Sequence, residues 1–348
     1  MKRRTLLSLA ASTALSIGLT AAATLPAAAQ EVTLRLHQFL PPVATVPKQI
    51  LVPWAESITE ASDGRIVIEH FDGMSLGGRP PELMDQAQDG VVDISMTLTG
   101  YTPGRFPRTE VFELPFMMTD PVATALAFQQ MVEEDFQDNE YKNVKVLGAW
   151  VHGPGLIHTK DGVYKLEDMQ GKQVRGPTRV INDLLKETGA TPVGMPLPAI
   201  PEALSKGVIN GTVIPWEVTP SIKLAELVDK HTEFAGDAAL YTATIILVMN
   251  KAKYDSLPDD LRAIIDEKSG AALAGMATKI MVENDKPGRD IAVAAGNEIT
   301  VLDEAEVARW KEASQPVIDR WVAQMNDNGI DGQALIDRAQ ELIAEKSM

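Results

Sequence analysis

The sequence predicts an α/β protein of two domains, and three observations lead there. The first hundred residues alternate strand and helix patterns. That pattern breaks at Val151-His152-Gly153-Pro154-Gly155. The length of 348 residues accommodates about two domains of ~100–200 residues each.

The elements follow in order. Val32-Thr33-Leu34-Arg35-Leu36 alternates apolar and polar side chains, the mark of a half-buried strand. A helix is expected over 47–61, with Ile50, Leu51, Trp54 and Ile58 on one face. Asp63-Gly64 makes a turn, residues 65–70 read as a strand, a helix follows near 81–88, and 90–98 is a short apolar strand. Strand, helix, strand, helix, strand argues a parallel sheet with crossover helices. After a strand at 144–150 the chain crosses to a second domain, whose strand segments are expected at 172–175, 192–195 and 212–216. Residues 241–250 are apolar at almost every position, as in a strand buried on both faces, and are expected to return to the first domain. From 256 onward the chain reads as helical, interrupted near Pro287-Gly288 and by a strand at 298–302. The expected division is 1–29 as a leader, 30–151 plus 241–280 as the first lobe, and 152–240 plus 281–348 as the second, with spanning and C-terminal helices.

The leader has a positive start (Lys2, Arg3, Arg4), an apolar run from Leu6 to Leu25, and a small-residue stretch ending at Ala29. This is the pattern of a secretory signal peptide, and cleavage is expected after Ala29. A membrane anchor is the alternative reading, and Arg3-Arg4 also fits a twin-arginine export signal. Export places the mature chain in the periplasm. Removing three basic residues takes the net charge from −16 to −19. So acidic a chain is a poor partner for nucleic acid, whose binding needs basic surfaces. There is no cysteine, which excludes disulfides, thiolate metal sites and cysteine nucleophiles.

Arg175 is the residue the pattern singles out. Gln173-Val174-Arg175 leads into Gly176-Pro177, and a helical pattern follows at Val180, Ile181, Leu184 and Leu185. Arg175 thus sits at the carboxyl end of a strand, the edge where open α/β sheets bind ligands. A cation there suits an anion. The alternative is an arginine paired with Asp168 or Glu167 at a domain seam.

Competing chemistry is weaker. Gly73-Met74-Ser75-Leu76-Gly77 satisfies G-x-S-x-G, so a secreted serine hydrolase using Ser75 is the alternative from another class. An elbow must turn straight into a helix, but Gly78-Arg79-Pro80-Pro81 delays it, and His231 is the last histidine available to a triad. His152 and His158 lie around a Gly-Pro-Gly turn without a strong metal spacing. No phosphate-binding glycine loop appears, and the sequence calls for no cofactor and no metal.

Five stretches carry a family resemblance: "SLGGRPPELMDQAQDGVVDIS", "FELPFMM", "LEDMQGKQVRGP", "PEALSKGVINGT" and "LVMNKAKYDSLPDDLRAII". In that order they resemble the substrate-binding proteins of tripartite ATP-independent periplasmic (TRAP) transporters, the C4-dicarboxylate-binding family. The resemblance implies a two-lobed periplasmic binding protein, type II-like, that closes its cleft on a small organic acid. It would deliver that acid to the transporter's membrane subunits and catalyse nothing. The family's ligand-binding arginine matches Arg175. Sialic-acid binders of this family carry a second arginine where Gly155 stands here, and an asparagine where Thr212-Val213-Ile214-Pro215 aligns. Glycine and Ile214 in their places leave an apolar lining. The expected lining is Phe39, Thr97, Leu98, Tyr101, Trp150 and Trp216, with His152, Gln38 and Glu217 as polar residues placed by position. It suits a hydrophobic or aromatic monocarboxylate, or its 2-oxo or 2-hydroxy form. Trp54, Trp310 and Trp321 sit in helical patterns and are expected in the core.

Overall fold

The computed structural model describes residues 31–236 and 239–347, so the expected leader lies outside the described residues. Eleven strands are present among them: β1 Val32–Gln38, β2 Ile66–Phe71, β3 Ile94–Leu98, β4 Val144–Val151, β5 Leu156–Thr159, β6 Gln173–Gly176, β7 Thr191–Gly194, β8 Gly211–Ile214, β9 Lys230–Phe234, β10 Thr244–Asn250 and β11 Glu298–Leu302. They form two sheets, one per lobe. The first runs β2-β1-β3-β10-β4 and the second β11-β9-β5-β8-β6-β7.

The first sheet follows the sequence pattern. β1 lies parallel to both β2 and β3, as a βαβαβ unit requires. β10 returns from the second lobe and inserts antiparallel between β3 and β4. Every residue of β10 except Asn250 is buried, which explains its near-continuous apolar run. In the second sheet, sequence reasoning missed β5 and β9. β5 has only four residues, and β9 carries His231 and Thr232 where apolar residues would mark a strand. The two pair antiparallel with His158 opposite His231.

Six helices matter for the site: α1 Val52–Ala61, α2 Pro121–Met131, α3 Arg179–Glu187, α4 Gly270–Ala294, α5 Glu304–Asp327 and α6 Gly332–Lys346. Four are capped by a side-chain oxygen that accepts a backbone N–H: Asp120 for α2, Thr178 for α3, Asp303 for α5 and Asp331 for α6. The expected interruption at Pro287-Gly288 does not occur, because α4 runs through both residues. A mid-helix proline loses one hydrogen bond, and packing on the second lobe compensates. Asp285 accepts the Glu217 N–H at 2.8 Å, and a Cβ on Gly288 would lie 2.2 Å from the Trp216 carbonyl oxygen. The other end of α4 covers β4, where Leu273 stands 2.8 Å from the Cβ position of Gly148. α4 therefore spans both lobes. α5 packs on α3 of the second lobe, whereas α6 packs on α2 of the first as well as on α5.

The chain also passes between lobes at 152–155 and at 239–243, and these two crossovers are stitched together. Gly155 N–H donates to Tyr241 O at 2.9 Å, Thr242 Oγ1 to His152 O at 2.8 Å, and Ala243 N–H to His152 Nε2 at 3.0 Å. Across the cleft Arg179 Nε donates to Glu110 at 3.1 Å, and Leu197 N–H to Tyr101 Oη at 3.0 Å. The lobes stand closed on one another.

Candidate functional site

The cleft between the lobes holds a cavity lined from both sides. Its first-lobe wall comes from the carboxyl ends of β1 and β3, through Phe39, Leu40, Met96, Leu98 and Tyr101. Phe39 and Tyr101 meet edge to face, with centroids 5.3 Å apart. Arg175, Pro177, Leu197, Ile214 and Val218 form the second-lobe wall.

Arg175 lies on β6, a strand flanked by β7 and β8, and only 1% of it is exposed. Its Nε donates to Met195 O at 2.8 Å, and Nη1 reaches Val213 O at 3.4 Å. These carbonyls and the Tyr101 hydroxyl orient the guanidinium, whose edge lines the cavity where a ligand would meet it. No carboxylate among the described residues pairs with it. Asp168 accepts backbone N–H groups of Tyr164 and Lys165, and Glu167 pairs with Arg309. The seam pairing considered from sequence is therefore not formed. Burial pushes the Arg175 pKa down, yet a guanidinium stays protonated in proteins. A buried cation without a counter-ion is costly, and an incoming anion relieves that cost.

Two tyrosines flank this charge. Tyr101 lies beside Arg175 and accepts from Leu197, while the buried Tyr241 hydroxyl has no partner among the described residues. Sequence reasoning missed Tyr241. Its ring occupies the space over Gly155, where a Cβ would fall 2.1 Å from Cε1. Gly155 thus makes room for an aromatic ring. The signal was legible only as a glycine beside a crossover that a tyrosine also flanks.

His152 lines the cavity with its ring but cannot donate into it. Nδ1 contacts Gly153 O at 2.6 Å and Nε2 accepts from Ala243, so both nitrogens are engaged. Burial pushes its pKa down to about 4 and keeps it neutral. Behind Ile214, His158 and His231 form a second neutral network. His158 Nε2 donates to Ile214 O at 3.1 Å, the two Nδ1 atoms lie 2.7 Å apart, and Asn297 donates to His231 Nε2. Burial lowers the two pKa values to about 3 and about 4.

Of the residues expected at the site, the cavity brings together Arg175, Phe39, Tyr101, Leu98, His152, Ile214 and Glu217. Four others lie elsewhere. Thr97 sits between Met96 and Leu98, and strand alternation turns it to the opposite face. Gln38 braces its own loop, donating to Leu40 O and Asp72 at 2.7 Å. Trp150 is fully buried on β4 beside Gly148, in the first-lobe core. Trp216 begins a 3₁₀ helix, Trp216–Ile222, rather than ending the expected strand. Its indole packs on His158 and His231 and donates to Glu233 at 2.9 Å.

Glu217 is 4% exposed and lines the cavity, yet its Oε1 has no partner. Burial pushes its pKa up to about 8, with the Thr45 hydroxyl opposing and Asp285 adding to the rise. Burial likewise raises Asp285 to about 7, against the N–H of Glu217. Glu113 is held at about 7 by burial, opposed by its bonds from Thr244. These folded pKa values exceed the unfolded carboxyl values, so their stability contribution is full below about pH 4.5 and lost as pH rises through 7–8. Unfolded histidines are half protonated at about pH 6.5 and drop out only above about pH 7.5. Conformational stability is therefore expected to fall between about pH 7.5 and 8.5, and to fall less in Glu217→Gln. Chemical denaturation across that window checks this, and a flat profile would mean the carboxyls ionise freely.

The serine motif makes no elbow. Gly73 and Met74 take φ of 60° and 61°, Ser75 is exposed, and the chain continues to a 3₁₀ turn at Pro80–Glu82. His231, the last histidine, is tied to His158 and Asn297 in the other lobe. Among the described residues no grouping of side chains could hold a metal ion, and no helix is long and apolar enough to cross a membrane.

Comparison with known proteins agrees with this architecture. The model of bacterial extracellular solute-binding proteins, family 7, matches residues 38–325. A TRAP solute-binding protein from Rhodoferax ferrireducens, crystallised with copurified benzoate, is 46% identical with a TM-score of 0.89, covering 91% of this chain and 98% of that one. A marine metagenome TRAP protein specific for aromatic acid ligands, with 3-hydroxybenzoate, is 44% identical with a TM-score of 0.89, over 92% of this chain and 100% of its own. A periplasmic TRAP protein from Bordetella bronchiseptica, with bound (R)- and (S)-mandelate, is 29% identical with a TM-score of 0.83, over 90% and 99%. The chain belongs to the family 7 bacterial extracellular solute-binding proteins, the substrate receptors of TRAP transporters.

Proposed function

We propose that this periplasmic receptor captures an aromatic monocarboxylate, or its 2-hydroxy or 2-oxo relative, and hands it to the transporter's membrane subunits. One observation carries the reading. A fully buried guanidinium without a counter-ion faces an otherwise mainly apolar cavity. The guanidinium fork matches the two oxygens of a carboxylate, with the Tyr241 and Tyr101 hydroxyls beside it. The ring lies against Phe39, Leu98, Ile214 and Ile245, where aromatic pairs add ~0.5–1.5 kcal/mol beyond area burial. A sugar acid fits poorly, because each hydroxyl left unpaired costs roughly 1–3 kcal/mol. The aryl acids held by the similar Rhodoferax, metagenome and Bordetella proteins support the same class. The hydrolase alternative finds no support in the family or in the surroundings of Ser75.

Isothermal calorimetry with benzoate, mandelate, sialate and galactonate tests the reading. The aryl acids are expected to bind and the sugar acids to give no heat; the reverse pattern overturns it. Tyr241→Phe is expected to weaken benzoate binding by about tenfold or more, from the ~1.5–3 kcal/mol of a hydrogen bond to a charged group. An unchanged constant would remove that hydroxyl from the site.

A further inference from the structure

Arg175 and Glu217 both line the cavity, and a ligand carboxylate explains only Arg175. Arg175 acts electrostatically on Tyr101, Tyr241 and His152. Glu217 has Asp285 as its charged neighbour instead, and it stands beside Thr45 and Val46 of the first lobe. The two groups line one cavity from separate elements, Arg175 on β6 and Glu217 in the turn that Asp285 of α4 holds.

Glu217 is built into this position. Its backbone N–H is fixed by Asp285 on α4 at 2.8 Å, and Thr45 attends its carboxyl from the opposite lobe. No lysine or arginine among the described residues pairs with either acid. The side chain is 96% buried, and Oε1 reaches no protein donor or acceptor. A buried polar atom left unpaired is expensive unless a ligand completes it. Burial holds the carboxyl largely neutral at pH 7, so it does not repel an anionic ligand and can both donate and accept.

Resting on the aryl-acid reading above, we propose that Glu217 selects among aryl acids by hydrogen-bonding a hydroxyl carried on the ring remote from the carboxylate. A phenolic hydroxyl is itself donor and acceptor, so one contact satisfies both groups. A bare ring leaves Oε1 unpaired.

The experiment measures benzoate, 3-hydroxybenzoate and 4-hydroxybenzoate by calorimetry on the full mature chain, in wild type, Glu217→Gln and Glu217→Leu. Wild type is expected to bind at least one hydroxybenzoate about tenfold tighter than benzoate, and the glutamine variant to keep most of that preference. The leucine variant is expected to lose the preference, and its circular dichroism spectrum and melting curve certify its fold independently of binding. Should leucine prevent folding, Glu217→Ala takes its place. A hydroxyl preference that survives in the leucine or alanine variant, or is absent from wild type, overturns the proposal. Failure of wild type to bind benzoate or either hydroxybenzoate is a separate outcome and strikes the aryl-acid reading itself.

Discussion

Replacing Arg175 with alanine is expected to weaken aryl-acid binding by about two orders of magnitude, corresponding to ~2–3 kcal/mol for a charge-assisted pair. Nothing nearby substitutes for it, since no other cation lines the cavity. The ligand-free protein is expected to change by less than about 1 kcal/mol in stability. Two lost bonds, to Met195 and Val213 carbonyls, oppose the relief of an unpaired buried charge. Arg175→Lys is expected to recover only part of the affinity, because a point charge lacks the planar fork and cannot serve both carbonyls and ligand. Calorimetry on the three proteins decides. Unchanged affinity in the alanine variant would make Arg175 a purely structural residue.

Gly155→Ala is expected to produce the second-largest effect, on stability and affinity together. The added Cβ would lie 2.1 Å from the Tyr241 ring, far inside contact distance. That ring cannot swing aside cheaply. Its backbone is bonded to Gly155, the next residues are bonded to His152, and its edge meets the His152 ring at a centroid distance of 5.5 Å. Overpacking of this kind costs about 1–3 kcal/mol, and displacing the Tyr241 hydroxyl is expected to weaken benzoate binding about tenfold. Adding Tyr241→Leu should restore much of the stability without restoring affinity, a non-additivity that marks direct contact. A Gly155→Ala protein with wild-type melting and binding would show that the ring yields freely.

The first lobe was legible because its strands are long enough to display a period. Val32–Gln38 alternates, and Thr244–Asn250 announces a doubly buried strand by its apolar run. The second lobe was less so, since four-residue strands such as Leu156–Thr159 carry too few positions for any period. Arg175 stood out because a charge at the end of a strand needs a reason. The aromatic residues did not sort themselves: a tryptophan fills a core as well as it walls a cavity. Trp150 and Trp216 went to the core and to the histidine pair, while Phe39 and Tyr101 reached the cleft. Tyr241 escaped notice because its role depends on Gly155, a partner distant in sequence, and no local pattern encodes that pairing.

The stitched crossovers have a consequence for how such receptors diverge. His152 and Tyr241 wall the cavity and also belong to the two strands of chain that join the lobes. A substitution at either position alters the ligand's surroundings and the mechanical coupling between lobes at once, so it is tested by selection on two traits together. Leu98 and Ile214 touch the cavity from within their own lobes and carry no such double duty. Diversification of ligand choice, in nature or by directed evolution, is therefore expected to run through those independent positions while the joint itself stays frozen.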